Sequence, residues 1–213
     1  MGFIESVNVG VPKPYAGKTG RSGIDKIPTA EPVAVTVPGW GGSGLAGDEI
    51  VDKPNHGGPD QAVYGYARED LEVWAERLGR PIRGGWFGEN LTTAGLDVTG
   101  AVAGEIWRVG STVLQVTCPR IPCATFTDQV GRDHWSTEFI RHGVPGAYLR
   151  VLRPGQVRAG DEVTVTDRPD SPVTIGVMFR AMTVEPDLLR LLLDAPLVPE
   201  DIRALAARRV PAR

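Results

Sequence analysis

The sequence predicts a mainly β protein: a barrel-like domain with a few helices over residues 1–168, followed by a small C-terminal three-helix appendage over 173–213. Three observations carry this. Twenty-seven glycines and 18 prolines in 213 residues supply more turn chemistry than a helical bundle uses. From Phe3 to about Thr166, short apolar or alternating runs recur between Gly and Pro, the pattern of a closed sheet. After Asp167-Arg168-Pro169-Asp170-Ser171-Pro172, a polar and proline-rich linker, the apolar spacing turns helical.

Taken in order, strands are expected at Val33–Val37, Gln61–Tyr64, Glu105–Val109, Thr112–Val116, Ala147–Leu152 and Glu162–Val165. Each is a short apolar or alternating run between turn formers. Between the second and third of these, Leu71, Trp74, Ala75 and Leu78 fall at i, i+3, i+4 and i+7. They predict a helix over Arg68–Leu78 that Gly79 and Pro81 stop. A weaker helical pattern runs through Ser136–Arg141, ahead of Gly143 and Pro145. In the appendage Thr174 can cap a segment presenting Ile175, Met178, Phe179 and Met182. Pro186 opens a leucine-rich second segment, and Pro199 a third with Ile202, Leu205 and Ala206 on one face. Three helices in about forty residues bury too little by themselves, so they are expected to lean on the barrel.

A net charge of −3 speaks against a nucleic-acid partner on bulk electrostatics. Two cysteines, Cys118 and Cys123, are too few for a disulfide scaffold of this size and fit a reduced, cytoplasmic chain. The first residues lack the basic and apolar regions of a signal peptide. The longest apolar stretch, Leu188–Val198, is broken by Asp194 and Pro196, so no membrane partner is expected. The oligomeric state is not fixed by the sequence.

Gly39-Trp40-Gly41-Gly42-Ser43-Gly44 has the spacing of a dinucleotide-binding turn, yet Leu45–Pro54 has no helical face to follow it. A flexible connection is the better reading. Neither a phosphate-binding P-loop motif nor a nucleophile elbow occurs. Cys118, Cys123, His134 and His142 make a four-ligand zinc set on paper, but the histidine spacing is loose. The alternative is two ordinary histidines on a surface helix and turn.

Three segments remain. In Asn55-His56-Gly57-Gly58 an imidazole precedes two glycines that let backbone approach a ligand, or the His simply caps a turn. Gly88-Glu89-Asn90-Leu91 offers an acceptor and an amide on a glycine-set loop, or a turn satisfied within itself. Cys118-Pro119-Arg120-Ile121-Pro122-Cys123 ends a strand and puts a thiol near a guanidinium. That pairing suits a ligating or nucleophilic thiolate, while the alternative is a buried, inert Cys.

Taken together with Gly47-Asp48, Ala62-Val63 and Gly104-Glu105, these motifs in this order resemble the MOSC family, named for the C-terminal domain of molybdenum cofactor sulfurase. The trailing helices resemble the three-α appendage of its YiiM-like branch, linked with resistance to 6-hydroxylaminopurine. The resemblance covers nearly the whole chain. It implies a β-barrel binding the molybdopterin form of the molybdenum cofactor, with Cys123 as thiolate ligand to the metal. It further implies reduction of small N-hydroxylated compounds, with electrons from a separate redox protein. On that reading Arg120 and Lys26 hold the anionic phosphate or pterin. The segments Asn55, His56, Gly57, Gly58 and Gly88, Glu89, Asn90, Leu91, with Pro122, form the cradle, and His56 delivers protons. An alternative from the same resemblance makes the domain a sulfur or cofactor carrier using a Cys123 persulfide. Cys118 stands where the family pattern has a polar residue.

Overall fold

A computed structural model describes residues 2–210; Met1 and residues 211–213, which end the expected appendage, lie outside it. In chain order it contains β1 (Gly2–Val9), β2 (Lys13–Pro14), β3 (Arg21–Ser22), β4 (Ile27–Pro28), β5 (Val33–Val35), β6 (Val63–Ala67), α1 (Arg68–Leu78), β7 (Leu91–Ala94) and β8 (Ile106–Val109). Then follow β9 (Thr112–Pro119), α2 (Ala124–Val130), α3 (Trp135–His142), β10 (Ala147–Arg153), β11 (Gly155–Val157), β12 (Glu162–Asp167), α4 (Ile175–Thr183), α5 (Leu189–Leu193) and α6 (Glu200–Arg209).

Seven strands close a barrel in the order β12-β8-β9-β10-β6-β7-β1, with β1 returning to β12 through Gly2 opposite Val163 and Phe3 opposite Glu162. All neighbours are antiparallel except β6 and β7, which run parallel. The helix α1 lies on the crossover between them, as a parallel pair requires. Closure leaves none of the seven with a free edge. Short pairs decorate the rim: β2 with β3, β5 with β11, and β4 against β1.

The inward faces build a core of aliphatic side chains around Trp107, including Ile4, Val7, Val63, Leu114 and Leu149. An aromatic cluster of Tyr66, Trp74, Phe87, Phe126, Trp135 and Phe139 joins β6 to α1, α2 and α3. Ring centroids there lie 4.6–6.4 Å apart, mostly edge to face. In a third cluster Met178, Leu189, Leu192, Ile202 and Ala206 pack with Ala103 and Cys118, so the appendage is seated on the barrel. Backbone bonds from Ala103 N to Val173 O (3.0 Å) and Ile175 N to Ala101 O (2.9 Å) fix the junction. So does the ion pair of Arg168 with the fully buried Glu105, at 2.7 Å.

Several boundaries differ from the sequence pattern. The run at Gln61–Tyr64 becomes a 3-10 turn over Pro59–Gln61 with the strand starting at Val63. The segment at Val33 ends at Val35 rather than Val37. Strands β1 and β7 and helix α2 carried no clear signal. A bulge between Ile4 and Ser6 turns Ile4 and Val7 to the same interior, which breaks the period of two. Strand β7 buries Thr92 and Thr93 as well as Leu91, so no apolar alternation marks it. Among the described residues, no helix is long and apolar enough to cross a membrane.

Candidate functional site

The loops at one mouth of the barrel converge on a single pocket of about 700 Å³, open mouth included. The β3–β4 loop supplies Lys26, the loop before β6 supplies Asp48, His56 and Gly57, and the turn into β7 supplies Gly88 and Asn90. Arg120 comes from the residue after β9, and Cys123 is the residue before α2.

Two cations in this pocket have opposite surroundings. Lys26 is paired with Asp48, whose carboxylate is 1% exposed. That carboxylate also accepts from Gly10 N (2.7 Å), Ser43 Oγ (2.6 Å) and Asn90 Nδ2 (3.0 Å). Burial alone would raise the Asp48 pKa, but Lys26, Ser43 and Asn90 outweigh it and hold it below the usual carboxylate value. Burial pushes the Lys26 ammonium down despite Asp48. The pair is closed upon itself. Arg120 is 6% exposed and has no carboxylate partner among the described residues. It donates to the Phe87 carbonyl and lies over Phe126 (4.2 Å) and Tyr64 (5.2 Å). Its charge is therefore held by a dipole and two ring faces.

The Cys123 thiol responds to this charge. Burial would raise its pKa, but His56, Arg120 and the Phe126 backbone together bring it down to about 6, so it is chiefly a thiolate at neutral pH. Cys118, buried against the appendage, is pushed up to about 12 because its burial outweighs the lowering by Thr117 and Arg150. His56 Nε2 lies 3.9 Å from Asp52 Oδ2.

Of the residues singled out in the sequence, Lys26, His56, Gly57, Gly88, Asn90, Arg120 and Cys123 line the pocket, and five others do not. Asn55 is exposed and donates to Asp52 at 3.0 and 3.1 Å. Gly58 is buried, its N–H bonded to Gly42 O at 2.9 Å, so the Gly39–Gly44 loop braces the turn and starts no helix. Glu89 is fully buried behind the wall, accepting from Gly85 N (2.5 Å) and Thr92 Oγ1 (3.0 Å). Its burial raises its pKa. Leu91 faces the barrel core, and Pro122 lines a neighbouring cleft. The Asn90 amide is committed to the protein itself: it accepts from Tyr64 N (3.0 Å) and donates to Asp48 and to Asn8 O (3.3 Å). Its contribution is to position Asp48. The paper zinc set does not assemble: His134 and His142 lie in a separate surface depression, and no cluster of three potential ligands occurs among the described residues.

Sequence reasoning left out Asp48 as a site residue, along with Tyr64 and Tyr148, which line the pocket. Asp48 is 22 residues from Lys26 and has no periodic relation to it. The tyrosines read as ordinary strand residues.

This donor set suits an anionic ligand carrying a soft metal. A thiolate binds such a metal, and a buried guanidinium without a carboxylate holds phosphate or an anionic ring. At Gly88 (φ +85°) an added Cβ would lie 3.0 Å from Ile24 Cγ1 and 3.2 Å from Arg120 Nη1, so the backbone there can approach a ligand closely. The residues present fit the molybdenum cofactor.

Comparison with known proteins places the chain. The model for the MOSC domain matches residues 52–164. The uncharacterized protein YflK of Bacillus subtilis is 35% identical over 172 residues, 80% of this chain and 76% of that protein. A protein named reductase from Gibberella moniliformis is 31% identical over 154 residues, 69% of this chain but 27% of its own length. The crystal structure of YiiM from Geobacillus stearothermophilus superposes with a TM-score of 0.81 at 28% identity, covering 99% of this chain and 100% of that one.

Proposed function

The chain belongs to the MOSC domain family, and from that premise we propose that it binds the molybdopterin form of the molybdenum cofactor and reduces N-hydroxylated compounds. The observation that carries this reading is the Cys123 thiolate beside Arg120, a buried cation that no carboxylate among the described residues neutralises. The matched family and the reductase-named relative support oxidoreductase chemistry.

When bound, the cofactor supplies the two-electron centre needed to cleave an N–O bond. Cys123 would ligate its metal. Arg120 would hold the phosphate or the pterin ring, since its fork meets no carboxylate among the described residues. Lys26 is engaged by Asp48 and contributes chiefly by rigidifying the wall. In the overall reaction the N–O bond of a hydroxylamine or amidoxime breaks, and the nitrogen takes two electrons from a separate redox protein. The oxygen leaves as water, so two protons are consumed. His56 lies at the pocket edge near Asp52 and delivers a proton to the departing oxygen.

The test is molybdenum and pterin analysis of protein made in a cofactor-competent host, followed by reduction of benzamidoxime or 6-hydroxylaminopurine with an artificial electron donor. Near-stoichiometric metal that disappears in Cys123→Ser, with turnover in the parent protein, is the expected result. Absence of both metal and pterin overturns the reading. A transferable 32-Da adduct on Cys123 would then identify a persulfide carrier instead.

A further inference from the structure

A second cleft adjoins the pocket and shares Asp52, His56, Gln61, Tyr148 and Cys123 with it. It measures about 1060 Å³ with its open mouth. Its remaining walls mix polar and apolar surface: Asn55, Asp60, Cys118 and Asp201 stand among Ile121 and Pro122 from the loop carrying Cys123, Met182 from the end of α4, and Pro199 and Ile202 from the start of α6. The appendage therefore forms one side of an opening onto the reactive sulfur.

The two openings differ in charge. The pocket is lined by Arg21, Lys26 and Arg120 together with Asp48, Glu49 and Asp52, whereas the cleft has three carboxylates, Asp52, Asp60 and Asp201, and neither Lys nor Arg. In the cleft Asp60 is bonded to Arg150 Nε at 2.6 Å, and Asp52 accepts from Asn55. Asp201 is exposed and has no ion-pair partner among the described residues. An anion entering the pocket meets the Arg120 guanidinium, which has no carboxylate partner among the described residues. A ligand reaching Cys123 from the other side passes partly apolar walls and an unneutralised carboxylate.

We infer that the cleft between barrel and appendage is the substrate entrance, selecting neutral or cationic N-hydroxylated compounds with an apolar body and rejecting those that bear carboxylate or phosphate. Naming the N-hydroxyl group rests on the reductase reading; the charge selection is a property of the cleft alone. Asp201 and Met182 are its specificity-determining residues, and the appendage acquires a role in setting substrate fit.

The experiment separates the two readings. Cofactor-free protein is treated with methanethiosulfonate reagents bearing either a trimethylammonium or a sulfonate group. Each transfers its thioalkyl group to the Cys123 sulfur with methanesulfinate leaving, and intact mass reports the rate. Asp201→Lys is expected to lower the cation-to-anion rate ratio about tenfold, as reversal of a nearby charge at the mouth requires, and Asp201→Asn to lower it less. Met182→Trp is expected to slow the cationic reagent severalfold while molybdenum and pterin content in loaded protein stays at the parent level. An unchanged ratio in both Asp201 variants, with native thermal melting, overturns the assignment. Loaded protein is then assayed with 4-aminomethyl- and 4-carboxy-benzamidoxime. A preference for the cationic substrate that collapses in Asp201→Lys supports the entrance, and turnover with no change in preference refutes it. A tenfold shift with the reagents but no turnover of any amidoxime sinks the reductase reading and leaves the cleft's charge selection standing.

Discussion

The most informative perturbation is of the forces that ionise Cys123. Its thiol is held at about 6 and that of Cys118 at about 12. At pH 7 a group of pKa 6 is about 90% ionised, against about 3% for an ordinary thiol near 8.5, a gain of roughly 30-fold in thiolate. Nucleophilicity falls with basicity, and a Brønsted slope of about 0.4–0.5 over 2.5 units removes roughly 10- to 18-fold of that gain. The net acceleration at pH 7 is only about two- to threefold, so a single-pH rate discriminates poorly and the midpoint of the pH profile decides. Alkylation of cofactor-free protein by iodoacetamide from pH 4.5 to 10, followed by intact mass, should show one reactive thiol with a midpoint near 6. Replacing His56 by Phe removes the foremost of the influences that lower this pKa and should move the midpoint up by at least about one unit. Arg120→Met should act in the same direction. The same shift has a stability signature. Because the folded pKa lies below the unfolded one, the thiolate's contribution is present above the unfolded pKa and is lost as pH falls through about 6. Cys123→Ser should remove that part of the pH dependence. A parent midpoint near 8.5, or labelling of Cys118 at the same rate, would falsify the electrostatic account.

Other expectations follow from buried charge and from backbone geometry. Lys26→Met leaves the Asp48 carboxylate buried without its cation and should cost about 3–5 kcal/mol in urea unfolding; a loss under about 1 kcal/mol would show that Ser43, Gly10 and Asn90 suffice. At Gly85 (φ +81°) an added Cβ would lie 2.5 Å from Lys26 O and 2.9 Å from Asn8 Cβ. Gly85→Ala should therefore destabilise by about 2 kcal/mol or more, read as a lower Tm, and an unchanged Tm would refute the tight packing beneath the pocket. Asp70 is pushed up to about 6 by burial, with Asp97 and Glu69 adding to it. Its folded pKa exceeds the unfolded one, so the stability it confers is complete below about 3.8 and is lost as pH rises through about 6. Asp70→Asn should raise Tm at pH 8 and leave it nearly unchanged at pH 4.

How much of this the chain declares in advance depends on whether the determining contact is local. The helix over Arg68–Leu78 and the cap at Thr174, which accepts from Val177 N at 3.1 Å, are written within a few residues and are found where expected. The barrel strands with alternating apolar faces are equally visible. Strand β1 is obscured by its bulge and β7 by buried threonines. Helix α2 is obscured because only Phe126 and Val130 of its seven residues are buried. In the site, glycines and the Cys-Arg spacing are readable because their chemistry is set by residue type. The Lys26–Asp48 pair is not, since only closure of the barrel mouth brings the two loops together. Met182 and Asp201 look like ordinary members of an amphipathic pattern until the appendage docks.

The division of labour among the buried charges follows from what each is allowed to touch. A cation that meets a carboxylate in a dry wall is neutralised locally, as Lys26 is by Asp48, and its field at the pocket centre is small. A cation held by a carbonyl dipole and ring faces is fixed as firmly but keeps its charge, because neither partner carries one. Arg120 is in the second state, and the Cys123 thiolate is the nearest compensation the chain itself provides, with His56 completing it from the other side. The Arg120 guanidinium, paired with no carboxylate among the described residues, is the charge an anionic cofactor meets on one side of the sulfur. On the other side the exposed Asp201 carboxylate, which has no ion-pair partner among the described residues, disfavours such a ligand. One sulfur thus faces two openings, one presenting the Arg120 guanidinium and the other the Asp201 carboxylate, and ligands are sorted between them by charge without a moving part.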